Sequence, residues 1–286
     1  MAKALPVLAL LCAARLPSAC AADSSRLAVR LAAEGDHEGA VIEFRRMALA
    51  ASSPSARGGY HWAAAHEYWK AGDHGLADKM LNRAEDEAPD LSLPALVLRG
   101  ESASASRAWE EADFYFSSVL NGRAGDDERA YAAARLAAVR MRRADASGAR
   151  AALAESPANA EAALAAVDTY VAGRDRNPKV GGVLGLIPGF GYFYAGEFAN
   201  GLRSIILNGL FIFGMADTAN EEQWGAFAVI TFFEFTWYSG SIYGGVDASH
   251  RYNRRRLDDC VATISGSSRF EPDYAQLPVV SLRFSF

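Results

Sequence analysis

Five histidines, one glutamate set in an apolar run and a glycine-rich stretch are the residues of this chain whose types and spacing could do chemistry. His37 and His74 each follow a Gly-Asp pair and stand 37 residues apart, which marks a repeated structural slot rather than a pair of metal ligands. His61 and His66 are five residues apart, whereas helical neighbours that converge on one ion are three or four apart, so no metal site is expected. Gly189 and Gly191 lack the Gly-Lys-Ser/Thr of a phosphate loop and the strand-helix unit of a dinucleotide turn, so no cofactor-binding residues are assigned. Glu234 and His250 allow an acid-base or proton-relay pair, because ionisable groups in apolar segments are functional candidates, against the plainer alternative of structural hydrogen bonding. No nucleophile-base or metal-ligand pattern accompanies them, so no catalytic residues are assigned and an enzyme is not expected.

The elements that must hold these residues begin with the overall composition. At 51% apolar and 22% charged residues it is that of a folded protein. A formal net charge of -5 gives no global basic field, and the dense run Arg254 to Arg256 follows an apolar segment directly. A membrane-side anchor explains that run better than a DNA contact, so no nucleic-acid partner is expected. Residues 1–22 place Lys3 before an apolar run from Leu5 to Ala14, then small residues up to Asp23, the pattern of a secretory signal peptide. Ala19-Cys20-Ala21 satisfies the small-x-small rule for cleavage. A lipidated Cys20 would want Leu three places earlier, and Leu16 stands four before it. Ordinary cleavage, lipidation and a retained anchor stay open, in that order. With Cys12 and Cys20 in the signal region, only Cys260 remains and no internal disulfide framework is possible.

Residues 23–172 carry a self-similar pattern. Gly35 and Gly72 recur at 37 residues, as do Ala40 and Ala77, and Pro54 and Pro89 recur at 35. The glycines suit a left-handed turn between paired helices and the alanines a close helix crossing, while the prolines are expected to stop the second helix of each pair. Weaker copies follow at Trp109, Ala112, Phe116 and Leu120, and at Ala149, Leu153 and Pro157. These positions resemble the tetratricopeptide repeat, which implies a helical-hairpin solenoid that binds a protein partner on its free face. Tyr60, Trp62, Tyr68 and Trp69 are the candidate partner-binding residues, since interfaces favour Trp and Tyr; the alternative is that Tyr68 and Trp69 are core and Trp62 packs between helices.

After Asp175 to Lys179 charge nearly vanishes, and residues 177–253 read as a helical membrane module with apolar stretches Val180–Ala195, Ser204–Ala216 and Trp224–Val246. Only the third reaches the roughly 20 residues that a bilayer requires. Its apolar side chains offer about -0.3 to -0.6 kcal/mol each and Glu234 costs about 2.5 to 3.5, so the sum is near zero. Glu234 is therefore expected to face another helix, with Asn208 as a candidate partner. Gly182, Gly185, Gly189, Gly196, Gly201, Gly209, Gly214, Gly240 and Gly244 are expected to provide close-approach surfaces, and Pro188 to kink the first stretch.

Pro188, Gly189, Gly191, Tyr194, Gly196 and Gly201 resemble the signature of the small bacterial TM2-like membrane domains. Tyr238, Gly240, Tyr243 and Gly244, within the segment that ends at Asn253, resemble the closing segment of versions found after tetratricopeptide repeats. The resemblance implies anchoring in membrane lipid, packing with other membrane helices and an association with membrane-protein assembly. The charge rule places the arginines after the third stretch inside and Asp217, Glu221 and Glu222 outside, compatible with one or three spans.

Residues 254–286 read as a polar tail, irregular from Leu257 to Gln276. Val279 to Phe286 alternates like a strand that could add to a partner's sheet edge, or is a chance apolar tail. The expected fold is all-α: a solenoid of helical hairpins, then a small membrane domain of two or three hydrophobic helices. The expected function is an exported, inner-membrane scaffold or adaptor with its repeats on the periplasmic side, the rival being a small transport or proton-coupled component that uses Glu234.

Overall fold

A computed structural model describes residues 18–266 and 268–286, with side chains from Arg26 onward. The export signal expected over residues 1–22 rests on residues outside this description. The described chain is mostly helical and ends in a two-stranded antiparallel hairpin. It divides into two compact units: residues up to Val139 together with the C-terminal residues, and Arg140–Gly266.

The first unit starts with helices α1 (Ser18–Glu34), α2 (His37–Ala50), α3 (Pro54–Lys70), α4 (His74–Glu87), α5 (Ser92–Ala105) and α6 (Trp109–Asn121). Consecutive helices pack on one another from α1 to α4, and α5 packs on α6. Gly35 and Gly72 close the turns inside the first two hairpins with φ of 82° and 84°, a left-handed geometry that a glycine adopts without steric cost. The following aspartates cap the next helix: Asp36 accepts from the Gly39 amide at 2.9 Å and Asp73 from the Leu76 amide at 3.0 Å. Two later turns put Arg107 and Ala144 in the same left-handed region, at 59° and 60°. The four turn residues are thus spaced by 37, 35 and 37, although only two of them are glycine.

Small and large apolar residues at the matching helix positions are buried: Ala40 with Phe44, Ala77 with Leu81, Ala112 with Phe116, and Ala149 with Leu153. Gly100 leaves room for the Phe116 ring, which would lie 2.6 Å from any Cβ at that position. The expectation that Pro54 and Pro89 end helices is corrected. α2 stops at Ala50 and α4 at Glu87, and the prolines instead open α3 and a short 3-10 turn at Pro89–Leu91, where a missing amide costs nothing.

α7 (Asp126–Arg142) crosses the division between the units. The second unit continues with α8 (Ala146–Ala154), α9 (Glu161–Ala172), α10 (Pro178–Leu184), α11 (Phe190–Tyr194), α12 (Phe198–Asn220) and α13 (Trp224–Ser265). The first apolar stretch is broken at Gly185–Gly189 into the short helices α10 and α11, with Gly189 at φ 87° as the turn. The span assignment is corrected as well. Among the described residues the helix long and apolar enough to cross a membrane is α12, at 23 residues and a mean hydropathy of 1.3, because Phe198 to Arg203 extend the second stretch at its N-terminus. The third stretch is only the first half of α13, a helix of 42 residues that covers Leu257–Ser265, where an irregular tail was expected.

The C-terminal residues return to the first unit. β1 (Arg269–Pro272) pairs with β2 (Leu282–Ser285), Phe270 opposite Phe284, with a 3-10 turn at Tyr274–Gln276 between them. The expected strand at the end of the chain exists, and it pairs with this chain's own residues 269–272.

The turn geometry predicts opposite signs for two substitutions. Gly72 has open space where a Cβ would stand, so Gly72→Ala costs only the backbone term and lowers stability by about 1 kcal/mol. Ala144→Gly removes that strain and raises stability by up to about 1 kcal/mol, after the flexibility of glycine is deducted. Urea unfolding of the detergent-solubilised chain reads both.

Candidate functional site

One face of the first unit is built by alternate helices. α3 contributes Gly59, His66, Glu67 and Trp69, α5 contributes Glu101, and α7 contributes Tyr131 and Arg135. The C-terminal hairpin lies on this face. Phe270 is buried against His66, Trp69 and Tyr131, with ring centroids 5.8, 5.7 and 5.9 Å away, and Phe284 packs on Tyr131 at 5.1 Å. Tyr274 adds a ring contact to Phe44 at 5.4 Å. Arg135 donates to the Ser268 carbonyl at 3.2 Å, while its guanidinium also bridges Glu101 at 3.0 Å beneath the Tyr131 hydroxyl. Gly59 is the point of closest approach, because a Cβ there would collide with the Pro278 carbonyl oxygen.

At the centre of the face is a carboxylate. Glu67 is 2% exposed and gathers three donors: His37 Nδ1 at 2.7 Å, His66 Nδ1 at 3.0 Å and the Tyr274 hydroxyl. His66 Nδ1 also lies 2.8 Å from the Tyr274 oxygen. Burial alone would raise the Glu67 carboxyl, but the hydrogen bonds from His66, Tyr274 and His37 outweigh it and hold the group below its usual range. Burial pushes the His66 imidazole down and the Tyr274 phenol well up, so the ring is neutral and the hydroxyl keeps its proton to donate. A neutral His66 with its proton on Nδ1 leaves Nε2 as an acceptor, buried and without a partner. Among the described residues no cluster of three His, Cys, Asp or Glu is arranged to hold a metal ion.

The four aromatic residues assigned to partner binding divide. Trp69 belongs to this face and is covered by Phe270, with the Lys70 ammonium 5.1 Å from its ring. Trp62 is fully buried and stacks on His66 at 5.8 Å, so it is core rather than contact surface. Tyr68 accepts from Arg45 at 3.3 Å, and Tyr60 is half-buried. The residues missed from sequence were Glu67, Tyr131 and Arg135, together with the tail residues Phe270 and Tyr274 that meet them. The available signal was a glutamate between a histidine and a tyrosine on the inner helix of a hairpin.

The second unit has a different centre, a crossing of α10, α11 and α13 made by glycine backbones. A Cβ on Gly191 would stand 2.5 Å from the Gly181 carbonyl and 2.7 Å from the Gly245 Cα, and one on Gly185 would stand 2.7 Å from the Ile242 Cα. Gly182, Gly189, Gly201 and Gly244 are similarly confined. The expectation of close approach is corrected for Gly196, Gly209 and Gly240, which have open space beside them, and for Gly214, which meets Ile230 only at ordinary contact distance. Gly196 serves a turn instead, at φ 77°. Tyr194 accepts from the Asn177 amide at 3.0 Å and, with Tyr252, flanks the Arg176 guanidinium; Asn253 bonds both the amide and the carbonyl of Arg176. Tyr238 donates to the Leu186 carbonyl at 2.8 Å, whereas Tyr243 is exposed. Pro188 precedes the left-handed turn at Gly189, whose amide donates to Ser241 at 3.3 Å.

Glu234 and Asn208 are both buried, but no hydrogen bond joins them. The Asn208 amide donates to the Ser204 carbonyl at 2.6 Å, and Asn208 Oδ1 and Glu234 Oε2 are left without partners. The relay pairing of Glu234 with His250 is also corrected. The two share α13 at a separation of sixteen residues, roughly 24 Å of helix, and His250 is exposed. The strongest ion cluster is one that sequence did not single out. Glu197 accepts from Arg251 at 2.9 and 2.7 Å, from Arg255 at 2.7 Å and from Asn200 at 2.8 Å. The Arg251 hydrogen bonds, ahead of the charges of Arg251 and Arg255, bring its carboxyl down to about 2. Arg256 pairs with Asp175 at 2.6 Å, so much of the basic run is engaged within the chain.

Two sets of outcomes follow. Tyr274→Phe removes a donor to a buried carboxylate and weakens tail docking by about 2 kcal/mol, read as faster amide exchange over residues 269–285. Acid acts in the same direction. Burial in the docked state disfavours a protonated His66, and the hydrogen bonds to Glu67 favour its ionised form, so proton uptake at either group opposes docking. Protection of the tail therefore declines as pH falls, and a flat profile between pH 7 and 4 would contradict this. In the second unit Gly191→Ala costs about 1 to 3 kcal/mol by overpacking, while Gly209→Ala is neutral within about 0.5 kcal/mol, measured by thermal unfolding in detergent. No protein-family model, curated protein or solved structure matches the chain, so its function rests on these two sites.

Proposed function

We propose that this chain is a non-enzymatic scaffold of the cell envelope: a tetratricopeptide-like helical stack that binds a protein partner, anchored by a glycine-packed TM2-like module in the membrane. The observation that carries the anchoring is the outer surface of α12 and of the first half of α13. Ile206, Leu210, Val229, Phe232 and Phe233 are exposed there, with Phe213 at 70% and Phe235 at 71%, and only 17% of the apolar window of α12 is buried. A continuous apolar surface of that kind costs too much in water to be left uncovered, and lipid covers it without a specific partner. Partner binding is supported by the aromatic face of α3 and α7, which already holds a peptide-like segment. The signal pattern of residues 1–22 supports export, with the stack on the periplasmic side of the inner membrane and a role in membrane-protein assembly.

Membrane pelleting tests the reading. The full chain is expected to stay with the membrane after alkaline carbonate extraction, and protease added to spheroplasts is expected to digest residues 23–172. Release into the carbonate supernatant, or full protection of the stack, would sink the proposal.

The unpartnered oxygens of Glu234 and Asn208 favour a second reading, a small transport or proton-coupled component. It predicts that Glu234→Gln abolishes the cellular phenotype while deletion of residues 23–172 leaves it intact. The scaffold reading predicts the reverse.

A further inference from the structure

The face built by α3, α5 and α7 is filled by the chain's last residues, and the manner of filling is that of a ligand more than of a fold element. β1 and β2 have four residues each, and a two-stranded hairpin of that size does not hold its shape alone in water. Its order comes from the face it lies on. Phe270 enters between His66, Trp69 and Tyr131, Tyr274 reaches Glu67 four residues later, and the Pro278 backbone crosses α3 at Gly59, where a Cβ would block it. The other side of the tail stays open, with Val279 and Phe286 exposed. Glu67 supplies the selectivity. A buried carboxylate already holding two imidazole donors accepts a hydroxyl as its third donor and leaves a ring without one paying the cost of an unmet acceptor.

We propose that this face is a peptide-binding site for an extended segment carrying phenylalanine and, four residues later, tyrosine. The tail from Ser268 to Phe286 is its ligand in cis, displaced by a partner segment of the same chemistry in trans. The proposal rests on the partner-binding reading above and names its ligand class. Tethering sets the competition: a tail joined to the same chain acts at an effective concentration near the millimolar range, so a free segment of equal chemistry competes poorly until the tail is weakened.

The test uses the full chain in detergent micelles and a fluorescent synthetic peptide of residues 268–286, with binding read by anisotropy. The peptide is expected to bind a chain carrying Phe270→Ala and Tyr274→Ala at least 100-fold more tightly than it binds the unaltered chain. A Tyr274→Phe peptide is expected to bind that emptied chain at least 10-fold more weakly than the original peptide. Gly59→Ala provides a check that a purely structural role would not meet. Alanine in place of a helical glycine ordinarily strengthens a helix, whereas here it is expected to expose the amides of residues 269–285 to exchange and, placed in the emptied chain, to abolish peptide binding. Failure of the peptide to bind the emptied chain, or equal binding of the Tyr274→Phe peptide, would overturn the proposal. An unaltered chain that is a dimer in detergent, and that the peptide splits into monomers, would assign the tail to a second copy and overturn the cis assignment. If site-specific cross-linkers on the emptied face capture a protein while the peptide does not bind, only the ligand class fails; capture of neither removes the partner-binding reading as well.

Discussion

A carboxylate withdrawn from water must be surrounded by donors, and Glu67 obtains its set from three places in the sequence: His37 thirty residues before it, its own neighbour His66, and Tyr274 at a separation of 207. This requirement joins α2 and α3 to the C-terminal hairpin. Without Tyr274 the carboxylate keeps two donors, and with it the acceptor is filled and the surrounding rings close over it. The aromatic contacts of Phe270 and the approach of Pro278 to Gly59 are arranged around that bond, and within the hairpin itself Asp273 accepts from Ala275, Gln276 and Arg283 beside the ladder.

The second unit answers a different demand. α10 and α11 are too short to be stable in isolation, so their placement depends on direct backbone contact with α13. Gly181, Gly191 and Gly245 provide it, and the Glu197 cluster fastens the start of α12 to the polar turns of α13. Val246, Ile205 and Phe193 fill the space beside Gly182, Gly189 and Gly201, and many of the remaining large apolar side chains face outward. The same sequence that places glycine at the centre leaves phenylalanine, leucine and isoleucine on the surface.

Much of this was legible in the sequence where one residue type has one physical use. Gly35 and Gly72 marked their turns because few other residues accept a positive φ cheaply, and the burial of Ala40, Ala77, Phe116 and Leu153 followed the repeat spacing. Arg107 and Ala144 hid two further turns, since the surrounding helices impose the left-handed geometry on residues that do not advertise it. Proline was misread because it ends one helix and begins another equally well, and only the capping residue Ser53 separates the two uses. Glycine spacing identified close approach as the principle of the second unit but not which glycines serve it. Gly209 and Gly240 face open space, and a pattern along one helix does not contain the position of its neighbour. The meeting of Glu67 with Tyr274 was out of reach for the same reason: nothing local in either segment specifies the other.

The order in which these parts come into existence differs from the order in which they depend on one another. Glu67 leaves the ribosome well before Tyr274, by roughly 10 to 40 s at 5–20 residues per second across the 207 residues between them. From the completion of α7 until Tyr274 follows, the helices that build the face are all present and the face is uncovered. Residues 268–286 close it, so a chain truncated after Gly266 keeps α1 to α13 and has an open groove.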